Sequence, residues 1–178
     1  MDVVSTALGI RGVARALTLS VLLGTVVIAC GPSSRPLANT EASPSALASA
    51  ILDALTRRDA DRLQALALDE REFREHVWPE LPASRPERNL PISYVWGDLN
   101  QKSQASLGRV LAAQGGKGYA LVSLAFSAGT TPYKTFVVHR KAVVTVRDGA
   151  GAQTDLRLFG SVIEQGGRFK VFSFVTDE

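Results

Sequence analysis

The chain has 178 residues, 46% of them hydrophobic and 21% charged, enough for one ordinary domain with a buried core and with little room for a second. Twenty Lys and Arg against seventeen Asp and Glu leave a net charge of +3, well short of the clustered basic face that nucleic-acid binding needs. With one cysteine (Cys30) and two histidines (His76, His139), Cys-rich zinc sites and disulfide scaffolds are excluded, and no metal is expected.

Residues 1–29 read as a leader. Ala16 to Ala29 (ALTLSVLLGTVVIA) carries no charge and follows Arg11 and Arg15, the basic-then-apolar order of a secretory signal. As a helix the run would span about 21 Å, short of the ~30 Å hydrocarbon core of a bilayer. It ends in Val27-Ile28-Ala29-Cys30-Gly31.

That ending resembles the bacterial lipoprotein signal, in which a branched apolar residue, a second apolar or small residue and Ala or Gly precede a lipid-modified cysteine. The resemblance implies cleavage before Cys30 and acylation of Cys30, hence attachment to the cell envelope facing the periplasm or exterior. More than one acyl chain gives stable anchorage without a spanning helix. Residues 30–43 are expected to be the lipidated N-terminus and a flexible tether, because Gly31 to Ser43 (GPSSRPLANTEAS) is small, polar and proline-bearing. Thirteen such residues reach at most about 43 Å.

The single domain expected over 44–178 divides into a helical half and a strand half. All prolines except Pro132 lie between Pro32 and Pro91, while most glycines lie from Gly108 onward. Ser43-Pro44 supplies an N-cap and first helical residue, followed by Leu47, Ile51, Ala54 and Leu55 at helical spacing. Asp59 or Asp61 caps a second short helix with Leu63 and Leu66, and Asp69 starts a third segment with Phe73, Val77 and Trp78, stopped by Pro79. Pro79 to Pro91 reads as an ordered extended loop. A further helix carries Trp96, Leu99, Leu107, Val110 and Leu111 and ends at Gly115-Gly116.

From Tyr119 the chain turns to β-branched and aromatic runs, with strands expected over 119–127, 133–147, 153–165 and 168–176 and short turns that make neighbours antiparallel. A Gly166-Gly167 loop pairs Gln165 with Arg168, Val162 with Val171 and Leu158 with Val175. One face then holds Leu156, Leu158, Val162, Phe169, Val171 and Val175, and is expected to be the core. Phe136, Val138, Val144 and Val146 join it if a one-residue slip is absorbed, and a bulge near His139-Arg140-Lys141 is one place for that.

This pattern resembles the nuclear-transport-factor-two-like, or cystatin-like, α+β superfamily. The resembling stretches are Leu47–Leu68, especially ALTRRDADRLQAL, and the closing GSVIEQGGRFKVFSFV. The resemblance implies N-terminal helices packed on a curved four-stranded antiparallel sheet, a cystatin-like cone. Its members include ketosteroid isomerase-like enzymes, cyclases and dehydratases as well as proteins without catalysis. No catalytic residue matches position by position, so the expected function is a non-catalytic binding or protein-interaction domain. The alternative is a small-molecule isomerase, cyclase or dehydratase of the ketosteroid-isomerase-like type, needing an inward carboxylate base in an apolar pocket.

Three groups of residues could carry chemistry or contacts. His139, Asp155 and Arg157 are expected on adjacent strands, as an anion-binding or general-base group or as a solvated cross-strand pair of small energetic weight. Phe159, Phe172 and Phe174 form an aromatic cluster for a homodimer interface if the face assignment is right, and fill the core if the faces are inverted. Trp78 and Trp96, bracketing the proline loop, form a partner-binding ridge or seal the edge of the core. Expected partners are therefore the membrane through the lipid, a second copy or an envelope protein, or a small apolar ligand. Gly115-Gly116-Lys117-Gly118 precedes a strand and reads as a turn rather than a phosphate loop, no serine sits in a nucleophile elbow, and no cofactor is expected.

Overall fold

A computed structural model describes residues 35–176, so the leader and Cys30 lie outside the described residues. The described chain is α+β, with four α-helices followed by seven antiparallel strands in two sheets. Helix α1 (Pro44–Arg57) starts where the Ser43 hydroxyl accepts from the Ala46 N–H at 3.0 Å, and it ends at Arg58 in the left-handed conformation. Asp59 caps α2 (Ala60–Ala65) through the Arg62 N–H. Asp69 and Glu72 form a reciprocal capping box on α3 (Glu70–Glu72), which runs on as a π-helical turn over Phe73–Val77. Three short 3₁₀ turns carry the chain through the proline loop to α4 (Ile92–Gln114), and Gly115 ends that helix.

The expected strands are present in shorter pieces: β1 (Ala120–Phe126), β2 (Thr130–Pro132), β3 (Val137–Arg140), β4 (Ala142–Arg147), β5 (Gln153–Leu156), β6 (Ser161–Gln165) and β7 (Arg168–Ser173). They pair in the order β1-β4-β5 in one sheet and β2-β3-β6-β7 in the other. The expected single four-stranded sheet is thus corrected to two. The middle strands each break, between β3 and β4 at Lys141 (φ 55°) and between β5 and β6 over residues 157–160. Across the break the pairing offset changes by one residue, from Val138↔Ile163 to Val144↔Leu156, which is the slip expected near Lys141. The Ala142 N–H donates to the Gly160 carbonyl and the Gly160 N–H to that of Ser173, tying the pieces together.

The breaks also decide which side each residue faces. Gln165↔Arg168 and Val162↔Val171 hold as expected, but Ser161 then pairs with Ser173, leaving Phe172 as an extra residue on β7. Phe174 therefore returns to the side of Val171, and Phe159, inside the 157–160 break, is turned inward beside Leu158. Phe136 and Val138 lie on the opposite side from Val144 and Val146, because the Lys141 slip exchanges faces.

Two apolar clusters result. The larger joins Leu47, Ile51 and Leu55 of α1 with Leu63, Leu66, Leu107, Val144, Val146, Val162 and Val171. The second joins Phe73, Val77, Phe136, Val138 and Ile163, covered by Trp78, Leu81, Ile92, Val95 and Trp96. Residues 35–43, expected to swing freely, are instead docked. Leu37 is buried, Glu41 pairs with Phe169 through both backbone hydrogen bonds, and the Arg168 side chain holds Thr40. Residues 35–43 thus pack with the helices and strands from Pro44 onward.

Candidate functional site

His139 sits on β3 opposite Val162, one position from Glu164 along that face of β6. Its Nε2–H donates to Glu164 Oε2 at 2.8 Å, and its ring lies between Phe126 (4.8 Å between centroids) and Phe169 (6.0 Å). The imidazole is therefore oriented by a carboxylate and wedged by two aromatic rings. That is half of a general-base arrangement, or a cross-strand pair that fixes the rim of the larger cluster. The expected partners of His139 lie elsewhere. Asp155 accepts from Thr145 Oγ1 at 2.7 Å in the other sheet, and Arg157 stands exposed in the β5–β6 break beside Arg140 and Lys141. The expected triad of His139, Asp155 and Arg157 is not brought together, because the breaks assign its members to different sheets and to the junction between them.

The expected exposed phenylalanine face is corrected as well. Phe159 is 0% and Phe174 1% exposed, both in the larger cluster, and Phe172 is half-buried against the second. No aromatic interface is left for a homodimer there. Trp78 and Trp96 both stand against Phe73, at 6.3 and 5.3 Å, and seal the second cluster.

Two polar groups escape sequence reasoning. Glu72 is 0% and Lys170 2% exposed, and Lys170 Nζ donates to Glu72 at 3.0 and 2.8 Å and to the Ala38 carbonyl at 2.9 Å. Glu72 also accepts from the N–H groups of Ala38 (2.7 Å) and Asp69 (3.1 Å). An ion pair this deep persists only with its remaining donors and acceptors satisfied, as they are here. The second group is His76, whose Nε2–H donates to the Arg35 carbonyl at 2.7 Å while Nδ1 accepts from the Gln165 amide at 3.3 Å. The Asp69-x-x-Glu72 spacing marks a cap in the sequence, but nothing local tells that Glu72 meets a lysine 98 residues away.

Well-formed grooves lie away from His139. One runs between α1 and the β4–β5 turn, past Asp53, Thr56, Tyr119 and Arg147. Another lies beneath the proline loop at Leu81, Arg85, Tyr133 and Lys134, and a third beside Pro36, Glu75 and His76. Among the described residues no group of three or more His, Cys, Asp and Glu side chains could hold a metal ion, and no helix is long and apolar enough to cross a membrane. Comparison with known proteins finds no matching family model, curated protein or solved structure.

Proposed function

We propose that this chain is an exported bacterial lipoprotein that holds a binding domain at the envelope membrane through acylated Cys30. The observation that carries this reading is Val27-Ile28-Ala29-Cys30-Gly31 after an apolar run of leader length, four residues ahead of the docked segment that opens the domain. An exported chain with one cysteine would otherwise hold an unexplained thiol. The helix-on-bent-strand arrangement, with α1 against β1 and β7, is compatible with a nuclear-transport-factor-two-like domain. The fully buried carboxylate, Glu72, is engaged by Lys170 and two backbone donors, which suits a structural role rather than a base. The expected result for Cys30→Ser is retention of the whole leader and loss of acyl incorporation. Normal processing and acylation of that variant would end the proposal.

A second reading, small-molecule catalysis of the isomerase type, draws on the carboxylate-held His139 imidazole. It requires that the folded domain retain or turn over a small molecule and that His139→Gln abolish this. Native mass spectrometry of the full chain from envelope extract tests it. A bare protein mass there, with the protein still folded, favours the non-catalytic reading.

A further inference from the structure

The docked segment fixes where the chain leaves the domain. The Arg35 carbonyl is held by His76, and two residues on, Leu37 is buried in the second cluster. Between Cys30 and Arg35 stand only Gly31, Pro32, Ser33 and Ser34. Fully extended, that stretch reaches about 17 Å, against about 43 Å for the thirteen-residue tether expected from composition. Attraction between exposed charges decays over ~8 Å at physiological ionic strength. A 17 Å link keeps the exit corner within about two such lengths of the headgroups, and a 43 Å link would not.

That corner is basic. Arg35 is exposed at the exit, and Arg85 and Lys134, also exposed, line the neighbouring groove, which shares Pro79 and Glu80 with the groove beside Pro36. None of the three has an ion-pair partner among the described residues. Of the acidic side chains lining these grooves, Glu80 keeps its charge and offsets one of the three cations. Glu80 accepts from the Lys134 and Thr135 N–H groups and from Thr135 Oγ1, and Glu75 pairs with Arg71. Pro36, Pro79 and Pro132 stiffen the same surface.

We infer that this corner, Arg35, Arg85 and Lys134 around Pro79 and Glu80, rests on the anionic phosphate surface of the bilayer that holds Cys30, so the domain has a fixed membrane-facing end. The inference rests on the lipoprotein reading. Arg140, Lys141 and Arg157 form a second basic group, but Arg140 and Lys141 lie at the opposite end of β3 from the turn that carries Lys134.

The test uses the full acylated chain in phosphatidylcholine vesicles with and without phosphatidylglycerol. Because acylation occupies its only cysteine, one introduced thiol reports one position. Ser84→Cys lies in the corner groove, and Ala150→Cys lies in the β4–β5 turn at the far end of the long strands. Phosphatidylglycerol is expected to slow reaction of Ser84→Cys with a water-soluble maleimide, by about fivefold for each cation in contact, and to leave Ala150→Cys unchanged. Arg85→Glu with Lys134→Glu should restore the rate, and Arg140→Glu with Lys141→Glu should not. Equal rates at Ser84→Cys in both vesicles, with acylation verified by mass, would overturn the inference and leave the lipoprotein reading standing. Release by the Arg140 and Lys141 reversals instead would also overturn it. A chain whose Cys30 itself reacts with maleimide removes the anchor and both readings with it.

Discussion

Glu72 and Lys170 are costly side chains to disturb, because each is charged, buried and paired with the other. Lys170→Ala strands the Glu72 carboxylate in the interior and should cost about 3–5 kcal/mol, read as a lower urea midpoint. The double variant Glu72→Leu/Lys170→Met should recover most of that loss, since apolar replacement of a whole buried pair is often neutral. Equal losses in the single and double variants would show that packing, not charge, is what the site supplies. Gly160 is constrained differently. A Cβ built there would fall 1.7 Å from the Val175 carbonyl oxygen, a backbone atom with no side-chain freedom to yield. Gly160→Ala should destabilise by on the order of 2–3 kcal/mol, whereas alanine at Gly108, which has open space around it within α4, should be neutral or stabilising.

Among the elements, those with local signals are the ones legible in the sequence. Ser43, Asp59 and Asp69 cap helices because a side-chain oxygen within three residues answers a free N–H; residue type and spacing gave Ser43 and Asp69 outright and Asp59 as one of two candidates with Asp61. The Gly166-Gly167 hairpin likewise gives its first pairs correctly. Spacing gave a place for the slip near Lys141 but not its left-handed backbone, for which a lysine carries no preference, and it did not give the extra residue at Phe172. One slip reverses every side chain beyond it, which is why Phe159 and Phe174 were expected on the wrong face, whereas Phe172 lies with Ile163 as expected, on a face that the second cluster covers. Phe172→Glu should accordingly destabilise the domain by placing a carboxylate against the second apolar cluster, with no change in oligomeric state; a stable, dissociated monomer would contradict the packing. The docking of residues 35–43 was equally hidden, because GPSSRPLANTEAS has the composition of a linker and its partners, from Arg62 and Glu72 to Arg168 and Lys170, are remote in sequence. Hydrogen exchange checks it: the amides of Ala38 and Glu41 should be protected, bonded as they are to Glu72 and to the Phe169 carbonyl.

At the scale of the whole molecule, the α+β class and the antiparallel connectivity followed from short turns, but the division into two sheets followed from the breaks. The candidate site was legible only in part. His139 was singled out with a carboxylate in view, yet its partner is Glu164 rather than Asp155, because the strand offset and not sequence distance selects neighbours across a sheet. The docked segment has a consequence for how the fold is reached. Thr40 bonds Arg168, 128 residues later, and Ala38 bonds Lys170, 132 residues later. Residues that emerge from the ribosome among the first of the domain thus wait for partners that emerge among the last. The Lys170 bonds to Glu72 and Ala38 close a loop of this size, which must be shut before its contacts repay the lost entropy. Synthesis must pass Lys170 before the docked segment can find its partners.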